Sequence, residues 1–258
     1  MPVHPTAIVH PGAKIDPGAD IGPFCVIADE VEIGAGTRLM AHIYVEGPTW
    51  IGEGNTFYPY STVGVASQDL KYQGERAETR IGNNNRIREF VTIHRGTKGG
   101  GALTSIADST LIMAYAHIAH DCHIGSRCIL ANGVTLGGHV VIADHAVVGA
   151  FSGVHQFCRV GVHAMVAGYS VVTRDVMPYS LTGVDREARL FGENKEGLKR
   201  RGFSAETIQR LHKAFRLLAS AQLNTTQALE RIAAEVETSD EIAELVRFIQ
   251  SSERGVIK

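Results

Sequence analysis

Residues 106–172 read IADSTLIMAYAHIAHDCHIGSRCILANGVTLGGHVVIADHAVVGAFSGVHQFCRVGVHAMVAGYSVV, and an apolar aliphatic residue occupies every sixth position. Twelve such positions run from Ile106 to Val172, and nine of them are followed by Gly or Ala. A period of six matches neither an α-helix nor the two-residue alternation of a single strand. It is typical of a parallel β-helix, in which each hexapeptide directs one large side chain to the axis and a small residue eases the corner.

The same six-residue frame occupies two earlier runs of the chain. Its positions are all apolar, namely Val3, Val9, Ile15, Ile21, Ile27, Ile33, Leu39, Val45, Ile51, Phe57 and Val63, then Ile81, Ile87 and Ile93. The frame breaks over residues 64–80 and 94–105, which we expect to loop outside the β-helix. Loops carried by a rigid scaffold commonly hold function. Residues 1–189 are therefore predicted to form one β-helix with two external loops.

Composition excludes several classes of protein. The chain has 258 residues and a formal net charge of -2, and its mean hydropathy is near zero. These values exclude wholesale disorder and a polycationic nucleic-acid binder. No run approaches about 18 uncharged apolar residues, and no basic-then-apolar leader opens the chain. We therefore expect a cytoplasmic protein that binds no nucleic acid and has no transmembrane segment.

Helical periodicity replaces the six-residue frame after Pro178 and predicts a helical domain over residues 190–258. A short helix is predicted from Asn194 to Arg201. Ser204, Asn224 and Thr238 are predicted to cap three further helices. Their apolar faces comprise Ile208, Leu211, Phe215 and Leu218, then Leu229, Ile232 and Val236, then Ile242, Leu245 and Phe248.

Basic residues concentrate at the start of this helical segment. Against only two acidic residues, positions 195–216 carry Lys195, Lys199, Arg200, Arg201, Arg210, Lys213 and Arg216. A solvated helix face and a docking surface for an acidic partner both fit this pattern, because complementary charge steers association.

Four cysteines recur at one position of the repeat. Each lies four residues after a frame position, which predicts small side chains filling the wall: Cys25, Cys122, Cys128 and Cys158. The segment from His117 to His123 is also rich in possible metal ligands, but it lacks the Cys-x-x-Cys pairs of a strong zinc motif. We therefore predict no metal, and a zinc lyase of the γ-carbonic anhydrase type remains an alternative.

The repeat resembles that of the hexapeptide-repeat acyltransferases, whose fold is a left-handed parallel β-helix with three hexapeptides per triangular coil. The resemblance implies the hand, which spacing does not give because crossovers are usually right-handed. A coil of eighteen residues places residue i+18 about 4.8 Å from residue i. We predict a mainly β fold, a left-handed parallel β-helix followed by a C-terminal α-helical domain.

Eighteen-residue coils bring distant residues together. His120 is expected beside Gly138, and Gly138 beside Gln156. Asp121 is expected beside His139. An imidazole with an adjacent carboxylate and an unobstructed backbone N–H can supply a base, an orienting group and an oxyanion donor for acyl transfer from a thioester. A wall histidine that is merely hydrogen-bonded fits the same spacing.

Five ordered motifs extend the resemblance over essentially the whole chain. They are Gln68-Asp69-Leu70-Lys71-Tyr72, Thr92-Ile93-His94-Arg95-Gly96-Thr97, His117-Ile118-Ala119-His120-Asp121-Cys122, Val154-His155-Gln156-Phe157-Cys158 and Gly197-Leu198-Lys199-Arg200-Arg201-Gly202-Phe203. With them the chain resembles the UDP-N-acetylglucosamine O-acyltransferases, which open lipid A biosynthesis. The resemblance implies a homotrimer with active sites between subunits. It also implies transfer of an (R)-3-hydroxyacyl group from acyl carrier protein to the 3-hydroxyl of UDP-N-acetylglucosamine. No cofactor is implied, because the carrier's phosphopantetheine delivers the acyl group.

The resemblance also implies residue roles. His120 matches the general base, Asp121 its orienting partner and Gly138 the oxyanion donor. Substrate-binding positions are Asp69 and Lys71 for the sugar nucleotide, His94, His117, His139, His155 and Gln156 for the pocket, and Asn194, Glu196, Arg200 and Arg201 for the nucleotide and the phosphopantetheine. Gly168 matches the position that limits acyl length, and its openness predicts a chain of about C14 rather than C10 at this coil spacing.

Two segments depart from the family's pattern. Residues 183–189 read GVDREAR where the family has a sequence close to Gly-Asn-Pro-Ala, so contacts from this loop to donor and nucleotide stay open. Ala150 stands where glycine is common in the acyl groove, and its methyl group could narrow the groove. An acceptor with a 3-amine and a non-catalytic trimeric scaffold also remain open.

Overall fold

The computed structural model describes residues 3–183 and 188–258, and its β-strands form three walls of a triangular prism. The first wall contains β1 (Ile8–Val9), β4 (Val26–Ile27), β7 (Tyr44–Val45), β10 (Thr62–Val65), β13 (Thr92–His94), β16 (His117–Ile118), β19 (Thr135–Leu136), β22 (Gly153–Val154) and β25 (Val171–Val172). The second wall contains β2 (Lys14–Ile15), β5 (Val31–Ile33), β8 (Thr49–Ile51), β11 (Glu78–Ile81), β14 (Leu103–Ile106), β17 (His123–Ile124), β20 (Val141–Ile142) and β23 (Arg159–Val160).

The third wall contains β3 (Asp20–Ile21), β6 (Arg38–Leu39), β9 (Thr56–Phe57), β12 (Arg86–Ile87), β15 (Leu111–Ile112), β18 (Ile129–Leu130), β21 (Val147–Val148), β24 (Met165–Val166), β26 (Ser180–Gly183) and β27 (Arg189–Glu193). Each strand up to β26 pairs in parallel with the strand one coil away, as Ile118 does with Leu136, whereas β27 is antiparallel to β26. The pairing confirms the predicted coil of three hexapeptides.

The repeat positions form the core of the prism. From Ile21 onward they are buried, none more than 3% exposed. Val3, Val9 and Ile15 are only half-buried, because they belong to the first coil and no further coil covers them. The four cysteines are free and buried, as their spacing predicted.

Aromatic side chains follow the edge between the third and first walls. The chain turns this edge with positive φ, 58° at Phe24 and 59° at Tyr169. The aromatic ridge on this edge comprises Phe24, His42, Tyr60, Phe90, Tyr115, Phe151 and Tyr169, with neighbouring rings stacked at 4.9–5.3 Å. Gly133 has no ring and interrupts the ridge between Tyr115 and Phe151; a Cβ there would stand 2.7 Å from the Phe151 ring. Tyr115 and Tyr169 are 64% and 74% exposed in the single chain.

Two loops leave the prism where the six-residue frame breaks. The first loop spans residues 66–77, since β10 ends at Val65 and β11 begins at Glu78. The second loop spans residues 95–102 and contains a short 3₁₀ helix, Lys98–Gly100. Both loops span fewer residues than the breaks in the six-residue frame, because the residues that flank them pair as strands.

Four helices follow the prism: α1 (Lys195–Arg200), α2 (Ala205–Leu218), α3 (Thr225–Glu235) and α4 (Asp240–Gln250). Their N-caps are Asn194, Ser204, Asn224 and Ser239. Thr238 was therefore the wrong prediction for the cap of α4, because the Ser239 side chain accepts from the Ile242 N–H. The predicted division between residues 189 and 190 falls inside β27. Of the departing loop, residues 184–187 lie outside the described part of the chain.

The helices cover the last coils of the prism. Their buried faces pack with Met177 and Tyr179 into a second apolar cluster. The C-terminal segment pairs with the prism as well, since Ile257 donates to the Asp175 carbonyl at 2.9 Å. Within residues 3–183 and 188–258, no helix has the length and apolar composition needed to cross a bilayer.

Candidate active site

His120 and Asp121 form a hydrogen-bonded pair where β16 ends, at the edge between the first and second walls. The distance from His120 Nδ1 to Asp121 Oδ2 is 2.8 Å. The Asp121 side chain is fully buried, and the His120 side chain is 14% exposed. A buried carboxylate on Nδ1 holds the proton there and leaves Nε2 free to act as a base.

The second loop holds the Asp121 carboxylate. The Thr97 N–H donates to Oδ1 at 2.9 Å, and the Thr97 hydroxyl donates to Oδ2 at 2.6 Å. The Asp121 N–H donates to Thr104 Oγ1 at 2.8 Å. Thr97 ends one of the five family motifs, but sequence reasoning assigned it no role, because inserted residues lie outside the repeat frame. The glycine-rich stretch at the frame break, residues 96–101, is the signal that could have pointed to it.

Gly138 lies against the imidazole of His120, one coil along the chain. A Cβ at Gly138 would stand 2.5 Å from His120 Cε1 and 2.6 Å from Nε2. The Gly138 N–H donates to no other group within the described ranges, whereas its carbonyl accepts from Phe157. The structure thus places an unpaired backbone donor beside the imidazole, as the coil spacing predicted.

His139 borders the same pair. Its ring is perpendicular to that of His120 at 5.0 Å and stacks on Phe157 at 4.3 Å. His139 Nδ1 lies 4.0 Å from Asp121 Oδ2. Burial lowers the pKa of His139, so this ring is neutral near pH 7.

Three of these groups could also hold a metal ion. One ligand atom each from His120, Asp121 and His139 lies within 4.8 Å of the others. Cys122 is not among them, since burial raises its pKa to about 12 and its thiol donates to the Gly137 carbonyl. His123 instead contacts Ser105 Oγ at 2.8 Å. Of the ligand-rich segment around His120, Cys122 and His123 are therefore engaged elsewhere, and His120 and Asp121 converge with His139.

His94 and His117 lie side by side on β13 and β16, neighbouring strands in the middle of the first wall. Their rings meet edge to face at 4.9 Å, and His117 Nδ1 contacts Thr92 Oγ1 at 2.7 Å. Burial, with the neighbouring His117 and His120, lowers the pKa of His94 to about 4. Burial also lowers the pKa of His117. Both rings are therefore neutral at physiological pH and can act as polar, uncharged walls.

The first loop brings Asp69 and Lys71 to the edge between the first and second walls, which also carries His120. A cleft of about 910 Å³ separates the two loops, and His139 and Phe157 line it together with Asp69 and Lys71. The Asp69 carboxylate accepts from the Lys71 backbone N–H at 3.0 Å, which fixes the tip of the loop. An anion and a cation at the mouth of one cleft suit a ligand with hydroxyl and phosphate groups.

His155 and Gln156 are exposed next to Phe157 at the edge that carries His120. His155 Nδ1 accepts a hydrogen bond from Arg254 at 3.3 Å. These two predicted pocket residues therefore lie near His120 but on open surface in the single chain.

The other predicted site residues lie on the remaining edges of the prism. Gly168 follows β24, at the edge between the third and first walls that carries the aromatic ridge. Asn194 donates to the His163 carbonyl at 3.0 Å, and Arg201 donates to the His145 carbonyl at 2.9 Å, at the edge between the second and third walls. Glu196 and Arg200 are exposed on α1. One chain does not gather all the predicted residues into one site.

Comparison with known proteins gives matches over the whole chain. A family model described as domain 2 of UDP-N-acetylglucosamine O-acyltransferase matches residues 175–257, and a model of bacterial transferase hexapeptide repeats matches residues 104–138. An acyl-[acyl-carrier-protein]–UDP-N-acetylglucosamine O-acyltransferase of Thermodesulfovibrio yellowstonii is 47% identical over 256 residues, covering 99% of each chain.

Solved structures match equally far. LpxA from Acinetobacter baumannii has a TM-score of 0.96 at 42% identity and covers 100% of both chains. LpxA of Bacteroides fragilis, a UDP-N-acetylglucosamine acyltransferase, has a TM-score of 0.96 at 40% identity, covering 99% of this chain and 100% of its own. These matches confirm the predicted left-handed β-helix with C-terminal helices. The chain belongs to the family of acyl-[acyl-carrier-protein]–UDP-N-acetylglucosamine O-acyltransferases and is an acyltransferase of the hexapeptide-repeat type.

Proposed function

We propose that this enzyme transfers an (R)-3-hydroxyacyl group from acyl carrier protein to the 3-hydroxyl of UDP-N-acetylglucosamine, with His120 as general base, as the first step of lipid A biosynthesis. The observation that carries the proposal is the contact of three groups from two coils. His120 is bonded to the buried Asp121 at 2.8 Å and lies against Gly138, whose N–H is unpaired among the described residues.

The proposed chemistry follows from these three groups. His120 Nε2 takes the proton of the acceptor hydroxyl while that oxygen forms a bond to the thioester carbonyl carbon. Asp121 holds the proton on Nδ1 and stabilises the imidazolium. The Gly138 N–H donates to the oxyanion. The C–S bond then breaks, the new ester remains, and the proton on Nε2 passes to the pantetheine sulfur, whose thiol has a pKa of about 8.5.

Charge and shape support the assignment of substrates to surfaces. The cleft with Asp69 and Lys71 would hold the sugar nucleotide beside His139. The exposed cations of α1 and α2 would meet the acidic carrier, with Arg200 and Arg201 near the phosphates of phosphopantetheine and nucleotide. No metal or redox cofactor enters this proposal.

We also propose a homotrimer with active sites between adjacent subunits. Two observations support it. The predicted site residues lie on three separate edges of one prism, so a neighbouring prism would have to complete each site. The exposed aromatic ridge, in two stretches on either side of Gly133, presents apolar rings of the kind that oligomer interfaces cover. A cytoplasmic location is also proposed. It is supported by the four cysteines, which are free rather than joined in disulfides.

Gly168 supports a long acyl chain. It is exposed, and a Cβ there would approach only the Ala150 backbone, at 3.1 Å. We expect the parent enzyme to prefer a donor of about C14, and Gly168→Met to lose that donor selectively because its side chain fills the groove. Competition between C10 and C14 acyl carriers, read by mass spectrometry, measures this. Undiminished use of the longest donor by Gly168→Met contradicts it.

The central test is acyl transfer by His120→Ala. We expect kcat to fall by about a thousandfold or more because the base is gone, while His10→Ala, a change at an exposed histidine of the first coils, keeps the parent rate. Mass spectrometry of the product formed from mixed acyl carriers and UDP-N-acetylglucosamine identifies donor and acceptor. Transfer by His120→Ala near the parent rate would show that His120 is not the base.

A further inference from the structure

The second loop, residues 95–102, closes over the Asp121 carboxylate. Thr97 contacts both carboxylate oxygens, through its N–H at 2.9 Å and its hydroxyl at 2.6 Å. Gly96 and Gly100 approach so closely that a Cβ on them would stand 2.8 Å and 2.1 Å from carboxylate atoms. The loop therefore encloses the carboxylate on the side away from His120.

Asp121 Oδ2 is shared by two donors. It accepts from the Thr97 hydroxyl and from His120 Nδ1. The terminal torsion of an aspartate is broad, and without the Thr97 hydroxyl the carboxylate would be restrained only by the Thr97 N–H on Oδ1 and by His120. The second donor on the same oxygen fixes the direction from which His120 is held.

Thr97 is itself held by the backbone of the second loop. Its carbonyl accepts from the Ala102 N–H at 2.8 Å and from the Gly100 N–H at 3.0 Å. The next residue, Lys98, donates its N–H to Glu75 of the first loop at 3.2 Å. The Thr97 hydroxyl therefore lies on an anchored turn, and the residue Thr97 is only 6% exposed.

We propose that Thr97 is a positioning residue for acyl transfer, whose hydroxyl holds the Asp121 carboxylate that orients His120. The proposal rests on the proposed function, because it takes His120 as the base. Thr97 borders the cleft proposed for the sugar nucleotide, but its N–H and hydroxyl are both directed to Asp121, so it acts through Asp121. Its loss should therefore slow the chemical step and spare substrate binding.

The test is Thr97→Val, which keeps the shape and removes the hydroxyl. We expect kcat to fall by about ten- to a hundredfold, as for a lost hydrogen bond to a charged group, with KM for both substrates within about twofold. Thr97→Ser restores the donor and should return kcat to within about threefold. Thr37→Val is the matched control, since it removes a buried hydroxyl bonded to the Gly52 carbonyl at 2.7 Å, away from the site.

Several outcomes would overturn the role of Thr97. They are Thr97→Val with a kcat near that of the parent, equal losses in Thr97→Val and Thr97→Ser, or a change in KM alone. Loss of folding in Thr97→Val and Thr97→Ser but not in Thr37→Val would show a purely structural role. A crystal structure of Thr97→Val gives a readout independent of activity. We expect a rotated or split Asp121 carboxylate, and a carboxylate that stays on His120 overturns the proposal. Undiminished transfer by His120→Ala would instead count against the proposed function.

Discussion

The absence of a side chain at Gly138 allows the imidazole of His120 to lie against the backbone of the next coil. The clearance is small, since a Cβ would stand 2.5 Å from the ring. The same residue offers the N–H proposed for the oxyanion. In the proposed mechanism, one glycine therefore sets both the position of the base and the stabilisation of charge.

Gly138→Ala is expected to lower kcat by about a hundredfold or more, because the new methyl group displaces the imidazole from its bond to Asp121. Thermal stability should change little, since the obstructing atoms belong to a side chain that can move. Gly153→Ala is the control, because its Cβ would meet nothing within 4 Å on the same wall. Steady-state kinetics and thermal melts measure both effects. Equal kcat for the two variants would contradict the prediction.

Buried histidines make stability depend on pH. The pKa values of His94 and His163 are both lowered to about 4, mainly by burial. Their unfolded values are near 6.5, so on acidification the unfolded chain takes up protons that the folded chain refuses. The stabilisation that these two histidines contribute by staying neutral is therefore fully present above about pH 6.5 and is lost as the pH falls toward about 4.

The melting temperature is accordingly expected to fall by several degrees between about pH 7.5 and pH 5. His163→Phe should flatten this dependence, because His163 lies among Tyr179, His145 and Phe203 and its buried Nδ1 has no partner in the described chain. His10→Ala is the control. If the melting temperatures of the parent and of His163→Phe change equally with pH, the assignment of the pH dependence to this residue is contradicted.

At this scale the sequence predicts the part of the site that obeys the repeat. His120 and Gly138 are one coil apart, so their contact follows from counting residues. Thr97 lies on an insertion, where that count no longer fixes which residues meet. Only the folded loop shows that its hydroxyl reaches Asp121.

Among the elements, the helices follow from local signals and the loop borders do not. Ser204 and Asn224 cap the helices that the sequence placed after them, and Asn194 caps a short helix that the sequence predicted to begin at Asn194 itself. Thr238 and Ser239 are neighbouring residues of the same capping type, so sequence alone does not separate them. The loop borders depend on how far strands pair with the next coil, which is a tertiary property.

Asn224→Ala is expected to destabilise the helical domain by about 1 kcal/mol, or to lower its melting temperature by about 2–4 °C. The cause is loss of the capping box, in which Asn224 and Gln227 each accept from the other's backbone N–H. Thr226→Ala is the control, because Thr226 is exposed and lies in the first turn of the same helix, two residues after Asn224. Calorimetry of the full chain measures the difference, and equal melting temperatures for the two variants would count against the cap.

On the scale of the whole molecule, the residues of the proposed site are spread over three edges of the prism. His120, Gly168 and Arg201 occupy different edges of one prism. The spacing of the repeats places His120 and Gly168 on their edges, and the helical domain brings Arg201 to the third edge, but no intrachain spacing can say which edge of a second prism faces them. The quaternary arrangement is thus the part of the site that sequence arithmetic leaves out.

Mixed trimers test this arrangement. His120→Ala and Arg201→Ala are each expected to be impaired alone. If His120 of one subunit works with Arg201 of its neighbour, random trimers of the two variants should recover about a quarter of the parent sites. Kinetics after co-expression measure the recovery, with each variant expressed alone as the control. Activity no higher than that of the separate variants would place both residues in the site of one chain.

The two ends of the prism are unequal. The first coil leaves Val3, Val9 and Ile15 half-uncovered, whereas the last is pinned by the tail through Asp175 and Ile257. In a stack where each coil contacts only its neighbours, opening starts at the least supported end. Amide protons should consequently exchange with solvent along a gradient, fastest near the amino terminus and slowest around His120, so that fraying at one tip leaves the chemistry undisturbed.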